Sequence, residues 1–222
     1  MKQIYKFLKT LSKNNNREWF NSHKSDYLEV KAKVDALAER LIQEVASFDS
    51  EAAYLTAADC TYRIYRDTRF STDKTPYKTH IGIFINPPMG KRSNRMGYYL
   101  HIEPGKSLVA VGTVCLPSKT IASIRRSIFD NVEEYLEIIS APEFKEAFPE
   151  IGENPVKTAP RGYSKDWPFI DLIKPRDYCA SHYLSDKEMP GNDLVEKCGH
   201  LFRISKRFND FINYTIDNAE EA

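Results

Sequence analysis

The sequence lacks several features that mark common protein classes. No segment approaches the roughly 20 consecutive apolar residues that a membrane-spanning helix needs. The nine glycines are scattered, and none forms a Walker loop, a dinucleotide fingerprint or a Gly-x-Ser-x-Gly elbow. The four cysteines are far apart and form no Cys-x-x-Cys pair, which argues against zinc and redox motifs. Reduced thiols in a cytoplasm fit this cysteine usage best.

A large excess of charge of one sign is also absent. The formal net charge is +1, so the chain has no global field of the kind that marks a general polyanion binder, and any basic site must be local. Hydrophobic residues make up 41% of the 222 residues, enough for a substantial core. We expect one domain over residues 1–222, with no signal peptide at its start and a frayed acidic tail at about 217–222.

Apolar residues at helical spacing occupy both ends of the chain. Asn15 and Glu18 have the layout of a capping box, and Asp166 is predicted to cap a short helix with Pro168 in its first turn. Trp19 and Phe20 are expected to form the core contact that docks the first helix onto the sheet. Helices are predicted in residues 4–11, from residue 17, and in 27–48, 118–129, 131–140 and from about 190 onward.

The middle of the chain has the composition of β-strands. Extended segments rich in β-branched and aromatic residues lie at 61–65, 79–86, 97–103, 107–114 and 176–184. The Pro-Gly turn at 103–106 predicts an antiparallel hairpin. The expected fold class is therefore α+β: an antiparallel β-meander of at least four strands covered by N-terminal and C-terminal helices.

Four motifs stand in a recognisable order: "NNNREWFNSHKSDY", "RIYRDTRFSTDKTPYKTHIG", "GYYLHIEPG" and "APRGYSKDWP". In these motifs the chain resembles an uncharacterised bacterial family, catalogued as domain of unknown function 2461. The resemblance runs from about residue 7 to about residue 212. It implies an intact single-domain member of that family and supplies no activity, substrate or cofactor.

The second of these motifs contains a basic segment, residues 62–78, in which five cations outnumber two anions. Guanidinium groups bind phosphate or carboxylate through two parallel hydrogen bonds, and tyrosine rings can stack on bases or sugars. The candidate ligand-binding residues are Arg63, Tyr65, Arg66, Asp67, Arg69, Lys74, Tyr77 and Lys78. The loop at 86–97 adds further cations without an acid.

Two interpretations of the basic segment remain open. In the first it binds an anionic ligand, which is phosphorylated, a nucleotide or a nucleic acid. Removal of charge at Arg66 and Arg69 should then weaken binding without unfolding the protein. In the second, Asp67 and Asp73 neutralise the arginines as a structural ionic brace, and the protein is an interaction module for an acidic protein partner.

Two histidines suggest a further alternative, an enzyme acting on a phosphate- or carboxylate-bearing substrate. His80 and His101 lie on adjacent strand segments, where each is a candidate catalytic acid or base beside an arginine clamp. No His-x-x-x-His or Asp-x-Asp spacing is present, so no metal site is predicted. We expect no cofactor and no membrane association, and the sequence does not decide the oligomeric state.

Overall fold

The computed structural model describes residues 1–220 of the chain. Its helices lie in three groups along the chain: before the first strand, between the third and fourth strands, and after the last strand. They are α1 (Lys2–Lys13), α2 (Arg17–Ser22), α3 (Lys24–Ala46), α4 (Ala57–Cys60), α5 (Ser118–Asp130), α6 (Val132–Ser140), α7 (Pro142–Ala147), α8 (Leu194–Ile204) and α9 (Lys206–Glu220). Three short 3₁₀ turns occupy Ser50–Tyr54, Gly90–Arg92 and Ile170–Ile173.

The strands form one antiparallel sheet in the order β1-β2-β3-β5-β4. They are β1 (Ile81–Ile85), β2 (Gly97–Ile102), β3 (Leu108–Thr113), β4 (Ile151–Glu153) and β5 (Asp177–Tyr183). Consecutive strands β1 to β3 pair as a meander, and the turn at 103–106 joins β2 to β3. The α+β class and the antiparallel sheet with helices from both ends of the chain are confirmed.

Three local predictions were wrong. Residues 61–65 form no regular strand, because only Thr61 pairs with β1 and the chain then pairs with itself. The three-residue strand β4 was missed, since it is too short to show a period. Asp166 caps no helix; the 3₁₀ turn after it begins at Ile170.

The two faces of the sheet differ in what covers them. In β2 the residues Tyr98, Leu100 and Ile102 are fully buried, while Tyr99 and His101 between them are only half buried. This is the period of two that a strand imposes on its side chains. On the buried face Tyr98 contacts Phe202 of α8 at a ring distance of 5.3 Å. The hydrophobic core therefore lies between this face and the helices.

The N-terminal helices pack on the same core. Phe20 of α2 is 1% exposed and joins α1 and α3 in a continuous hydrophobic cluster, as expected from the sequence. The cap of α2 is Asn16, which accepts a hydrogen bond from the Trp19 amide, one residue later than the predicted Asn15.

At the other end of the chain α9 extends through 217–220, and residues 221–222 of the predicted tail lie outside the described residues. Among residues 1–220, none of the helices combines the length and apolar character that crossing a lipid bilayer demands.

Candidate functional site

The basic segment (residues 62–78) folds back on itself as a narrow hairpin. The Arg66 amide donates to the Pro76 carbonyl at 2.9 Å, and the Lys78 amide donates to the Ile64 carbonyl at 2.8 Å. Between these bonds Tyr65 and Tyr77 form an isolated bridge. The hairpin places the two ends of the segment side by side and projects its middle away from the sheet.

Most of the charge at the tip of the hairpin, residues 66–75, is neutralised by pairing between its own side chains. Arg66 pairs with Asp73 and also donates to the hydroxyl of Thr75. Arg69 donates from Nε and Nη2 to the two oxygens of Asp67, at 3.0 and 2.7 Å.

The remaining cation of the tip, Lys74, is satisfied by backbone. Its Nζ donates to the Thr68 carbonyl at 2.9 Å. With Arg66 paired to Asp73 and Arg69 to Asp67, both anions and three of the five cations of the basic segment are used inside the tip, as an ionic brace would use them.

The two tyrosines of the hairpin hold it against the N-terminal helices. Tyr77 is 3% exposed and its ring stacks on that of Phe20 at 4.0 Å, while Tyr65 meets Phe20 edge-on at 6.0 Å. The side chain of Asn15 donates to the Tyr77 carbonyl at 2.8 Å and accepts from the Tyr77 amide at 3.1 Å. Tyr77 is thus a packing residue whose ring offers no face to a ligand.

A cavity of about 840 Å³ lies against the half-buried face of the sheet. Its floor is made of small residues on the three strands β1, β3 and β5, namely Gly82, Ala110, Gly112, Cys179 and Ser181. The walls come from the first half of α3, from residues 58–64, from 78–81 and from the loop 91–94. The size falls in the range of about 300–1,000 Å³ that small-molecule sites occupy.

The base of the hairpin brings two cations to this cavity. Arg63 and Lys78 both line it, and within residues 1–220 neither side chain makes a hydrogen bond or an ion pair. Arg63 is exposed to solvent, and it adds a small contribution to the lowered pKa of Asp67, which Arg69 mainly causes. The Lys78 Nζ lies 5.3 Å from the ring centre of Tyr62, which also lines the cavity. Partial burial and the neighbouring Arg63 lower the pKa of Lys78, as expected where two like charges lie close together.

Other charged groups of the wall are already occupied. Lys91 donates to the carbonyl oxygens of Ala58 and Thr61, so it ties the loop 91–94 to the wall. Lys31 and Asp35 pair with each other at 2.5 Å. Of the cations predicted in the loop at 86–97, Lys91 lines the cavity, whereas Arg95 is bound elsewhere to Glu51 and Asp217.

The two candidate histidines meet at the end of the cavity floor. The rings of His80 and His101 are 4.6 Å apart. His101 Nε2 lies 3.0 Å from Glu103 Oε2, and His101 Nδ1 lies 3.1 Å from the hydroxyl of Tyr99. His80, His101 and Tyr99 line the cavity, and Glu103 stands behind them. One ligand atom from each of His80, His101 and Glu103 lies within 4.8 Å of the others, so these three can hold a metal ion.

Burial has the largest effect on the pKa values of Tyr99 and His80. It raises the pKa of Tyr99 to about 12, with smaller contributions from Tyr62 and Glu103. It also lowers the pKa of His80, and the neighbouring His101 lowers it further. At neutral pH both groups are therefore uncharged, which suits Tyr99 as a hydrogen-bond donor and His80 as an acceptor or a ligand.

The structure divides the residues predicted for the site. Arg63, Lys78, His80 and His101 meet at the cavity, whereas Arg66, Asp67, Arg69 and Lys74 lie at the tip, and Tyr65 and Tyr77 pack on Phe20.

Tyr99 was not among the residues predicted for the site, because an aromatic residue in a strand is usually a core residue. Its spacing of two from His101 was the available signal. The small residues of the floor, such as Ala110 and Ser181, carry no signal of their own, since only the structure shows that nothing covers them.

Comparison of the chain with curated proteins and with solved structures gave no match. A family model described as "Conserved hypothetical protein (DUF2461)" matches residues 3–211, which confirms the resemblance carried by the four motifs. The match includes the basic segment, the two histidines and every strand that forms the cavity floor. The chain belongs to the DUF2461 family.

Proposed function

We propose that the protein binds a small anionic ligand, phosphorylated and of nucleotide size, in the cavity on the half-buried face of the sheet. The observation that carries this proposal is the convergence of Arg63 and Lys78, two cations that form no ion pair within residues 1–220, on a cavity of about 840 Å³. A phosphate bound between them would gain charge-assisted hydrogen bonds and relieve the repulsion between the two side chains.

The shape of the site favours a small molecule over a long nucleic acid. The cavity is a concave space whose wall includes the rings of Tyr62 and Tyr99, which are placed to contact a base or another flat group. At the tip of the hairpin two of the three cations are paired with the two acids, so most of the charge there is used internally. The predicted weakening of binding by charge removal at Arg66 and Arg69 stays a prediction, and the cations proposed to contact the ligand are now Arg63 and Lys78.

The four free cysteines support the accompanying proposal of a cytoplasmic location.

The test is thermal unfolding in sodium phosphate, AMP or a short oligonucleotide, compared with chloride at equal ionic strength. A ligand that binds only the folded state raises its stability by RT ln(1 + [L]/Kd), about 2.7 kcal/mol at a hundredfold excess over Kd. We expect a shift with phosphate or AMP that is lost in Arg63→Ala and in Lys78→Ala.

The matched control is Arg69→Ala, which removes the same charge from the same segment at a position outside the cavity. It should keep the ligand-induced shift. Loss of the shift in Arg69→Ala with retention in Arg63→Ala would move the site to the tip of the hairpin. If no ligand shifts the unfolding temperature of the unaltered protein, the basic segment is better explained as a structural ionic brace in a protein that binds an acidic protein partner.

A second candidate function is an enzyme that acts on a phosphate- or carboxylate-bearing substrate. The series Tyr99–His101–Glu103 supports it, because a carboxylate that orients a histidine beside a third proton-carrying group is the arrangement of acid–base catalysis. Hydrolysis of p-nitrophenyl phosphate is the simplest test. Turnover that disappears in His101→Asn and persists in His200→Asn, an exposed histidine of α8, would support catalysis.

A further inference from the structure

We propose that His80, His101 and Glu103 form a binding site for a divalent transition-metal ion, of which Zn²⁺ is the best fit. This departs from the sequence-based expectation of no metal site. Motif spacing along the chain detects ligands that share one helix or loop, whereas these three residues are brought together by strand pairing. Two imidazoles and one carboxylate make a ligand set of the kind that zinc enzymes use.

The register of β1 and β2 creates the cluster. Gly82 pairs with His101, so His80, two residues before Gly82, lies on the same face as His101 and Glu103. The fourth position of this group, beside His80, His101 and Glu103, is Gly82, which has no side chain. The ligand atoms lie within 4.8 Å of one another, and tetrahedral zinc requires separations of roughly 3.3 Å. Since all three side chains are half buried rather than locked in the core, small side-chain rotations close this difference.

The hydrogen bonds already present suit a metal site. The 3.0 Å contact between His101 Nε2 and Glu103 Oε2 is short enough for an ion to replace the shared proton. His101 Nδ1 would then donate to the Tyr99 hydroxyl, from which it lies 3.1 Å. Metal-bound histidines commonly use their other ring nitrogen in this way, which fixes the orientation of the ring.

The site opens toward the cavity. His80 and His101 line it, so a three-ligand ion here would keep its fourth position accessible to water or to a ligand, as catalytic zinc sites do. Lys78 lies near His80 and opposes a cation. A phosphorylated ligand at Arg63 and Lys78 would offset this repulsion, so the metal and the anion should strengthen each other's binding. This coupling alone rests on the proposed function; the metal site does not.

The experiment is isothermal titration of Zn²⁺, and separately Mn²⁺, into the protein in chloride buffer without phosphate. We expect saturable binding of one Zn²⁺ per chain, weakened by more than about a hundredfold in His80→Ala and Glu103→Gln and by about tenfold in Tyr99→Phe. Glu103→Gln preserves shape, and circular dichroism of each variant checks that the fold is kept. Addition of AMP should then tighten Zn²⁺ binding.

Two control variants separate this site from incidental binding. His200→Ala removes an exposed histidine outside the cluster, and Cys115→Ser removes an exposed thiol. Both should bind Zn²⁺ like the unaltered protein. The proposal is overturned by absence of saturable binding of either ion, by equal affinity in folded His80→Ala, or by loss of binding in Cys115→Ser. Because this titration contains no anionic ligand, its failure is distinct from failure of the anion proposal.

Discussion

At Gly112 the backbone of β3 has a φ of +115°, a conformation that only glycine adopts without strain. A Cβ atom there would lie 2.3 Å from the carbonyl oxygen of Tyr178 and 2.6 Å from the Cα of Cys179. The floor of the cavity is therefore formed where β3 and β5 approach so closely that no side chain fits between them. Glycine at position 112 is needed both for the backbone conformation of β3 and for the close approach of β5.

We predict that Gly112→Ala destabilises the protein by about 1–3 kcal/mol from backbone strain, and by more once the clash with β5 is included. Urea unfolding measures the change. Gly105→Ala is the control, because Gly105 also has a positive φ, +82°, but nothing lies within 4 Å of its missing Cβ. Equal losses in the two variants would mean that the contact with β5 costs nothing.

Glu188 gives a prediction for pH. Its hydrogen bonds with Lys197 and with the Ser185 amide lower its pKa from an ordinary value near 4.5 to about 2. A carboxyl group whose pKa is lower in the folded state contributes stability that is complete above its unfolded value and lost as the pH falls from about 4.5 toward 2. Glu188→Gln should remove this part of the acid dependence, as measured by urea midpoints between those pH values. Glu196→Gln, at an exposed position of α8, should leave the dependence steeper than Glu188→Gln does.

The hairpin is the element in which sequence and structure differ most. Its base faces the cavity and its tip is cross-linked by Arg66–Asp73 and Arg69–Asp67. The tip ends in Phe70, which is 96% exposed, so side-chain pairing rather than a hydrophobic core orders it. Its stability is therefore local.

We predict that Arg66→Ala loosens residues 66–75 without unfolding the protein. Partly exposed ion pairs contribute at most about 1 kcal/mol, so the global free energy of unfolding should change by no more than that. Hydrogen exchange of the tip amides should become faster while exchange in β1 to β3 stays the same. Arg40→Ala, at an exposed position of α3, serves as control. A cooperative loss of protection in the sheet would show that the tip supports the whole fold.

The elements that could be predicted are those whose structure is determined by residues close together in the chain. Seven of the nine helices and four of the five strands of the described chain follow from periods of 3.6 and 2 in the sequence, because each buries one continuous face, whereas the short helices α4 and α7 were not predicted. The hairpin could not be predicted from the sequence. Its residues have the composition of β-strands, and that composition fits an additional strand of the sheet as well as it fits the observed pairing of Tyr65 with Tyr77. The site was predicted in part for the same reason: the residues were named, but their division between cavity and tip depends on that pairing.

At the scale of the whole molecule, the sheet buries one face in the core and leaves the other to form the cavity. Val109 of β3 lies in the core, and its neighbours Leu108 and Ala110 line the cavity. In this part of the strand the core and the proposed ligand site thus use alternate residues, and a change on one face need not disturb the other.

We predict that Ala110→Leu blocks ligand binding with little effect on stability, because the added atoms enter empty space. The readout is the unfolding temperature with and without phosphate or AMP. The ligand-induced shift should be lost while the temperature in chloride stays close to that of the unaltered protein. Ala122→Leu makes the same substitution at an exposed position of α5 and should keep the shift. Retention of the shift in Ala110→Leu would place the ligand outside the cavity.

The pair of hydrogen bonds between Asn15 and Tyr77 joins residues 62 positions apart in the chain. Contacts of such long range form late in folding, because the loop between them must first close. The β3–β5 pairing joins residues that are farther apart still, so completion of the sheet and docking of the N-terminal helices are both late events. The rim of the cavity reaches its final position only when both are in place, and an intermediate that lacked either would be unable to form the proposed binding site. Capture of the proposed ligand during refolding would then mark the last step rather than the first.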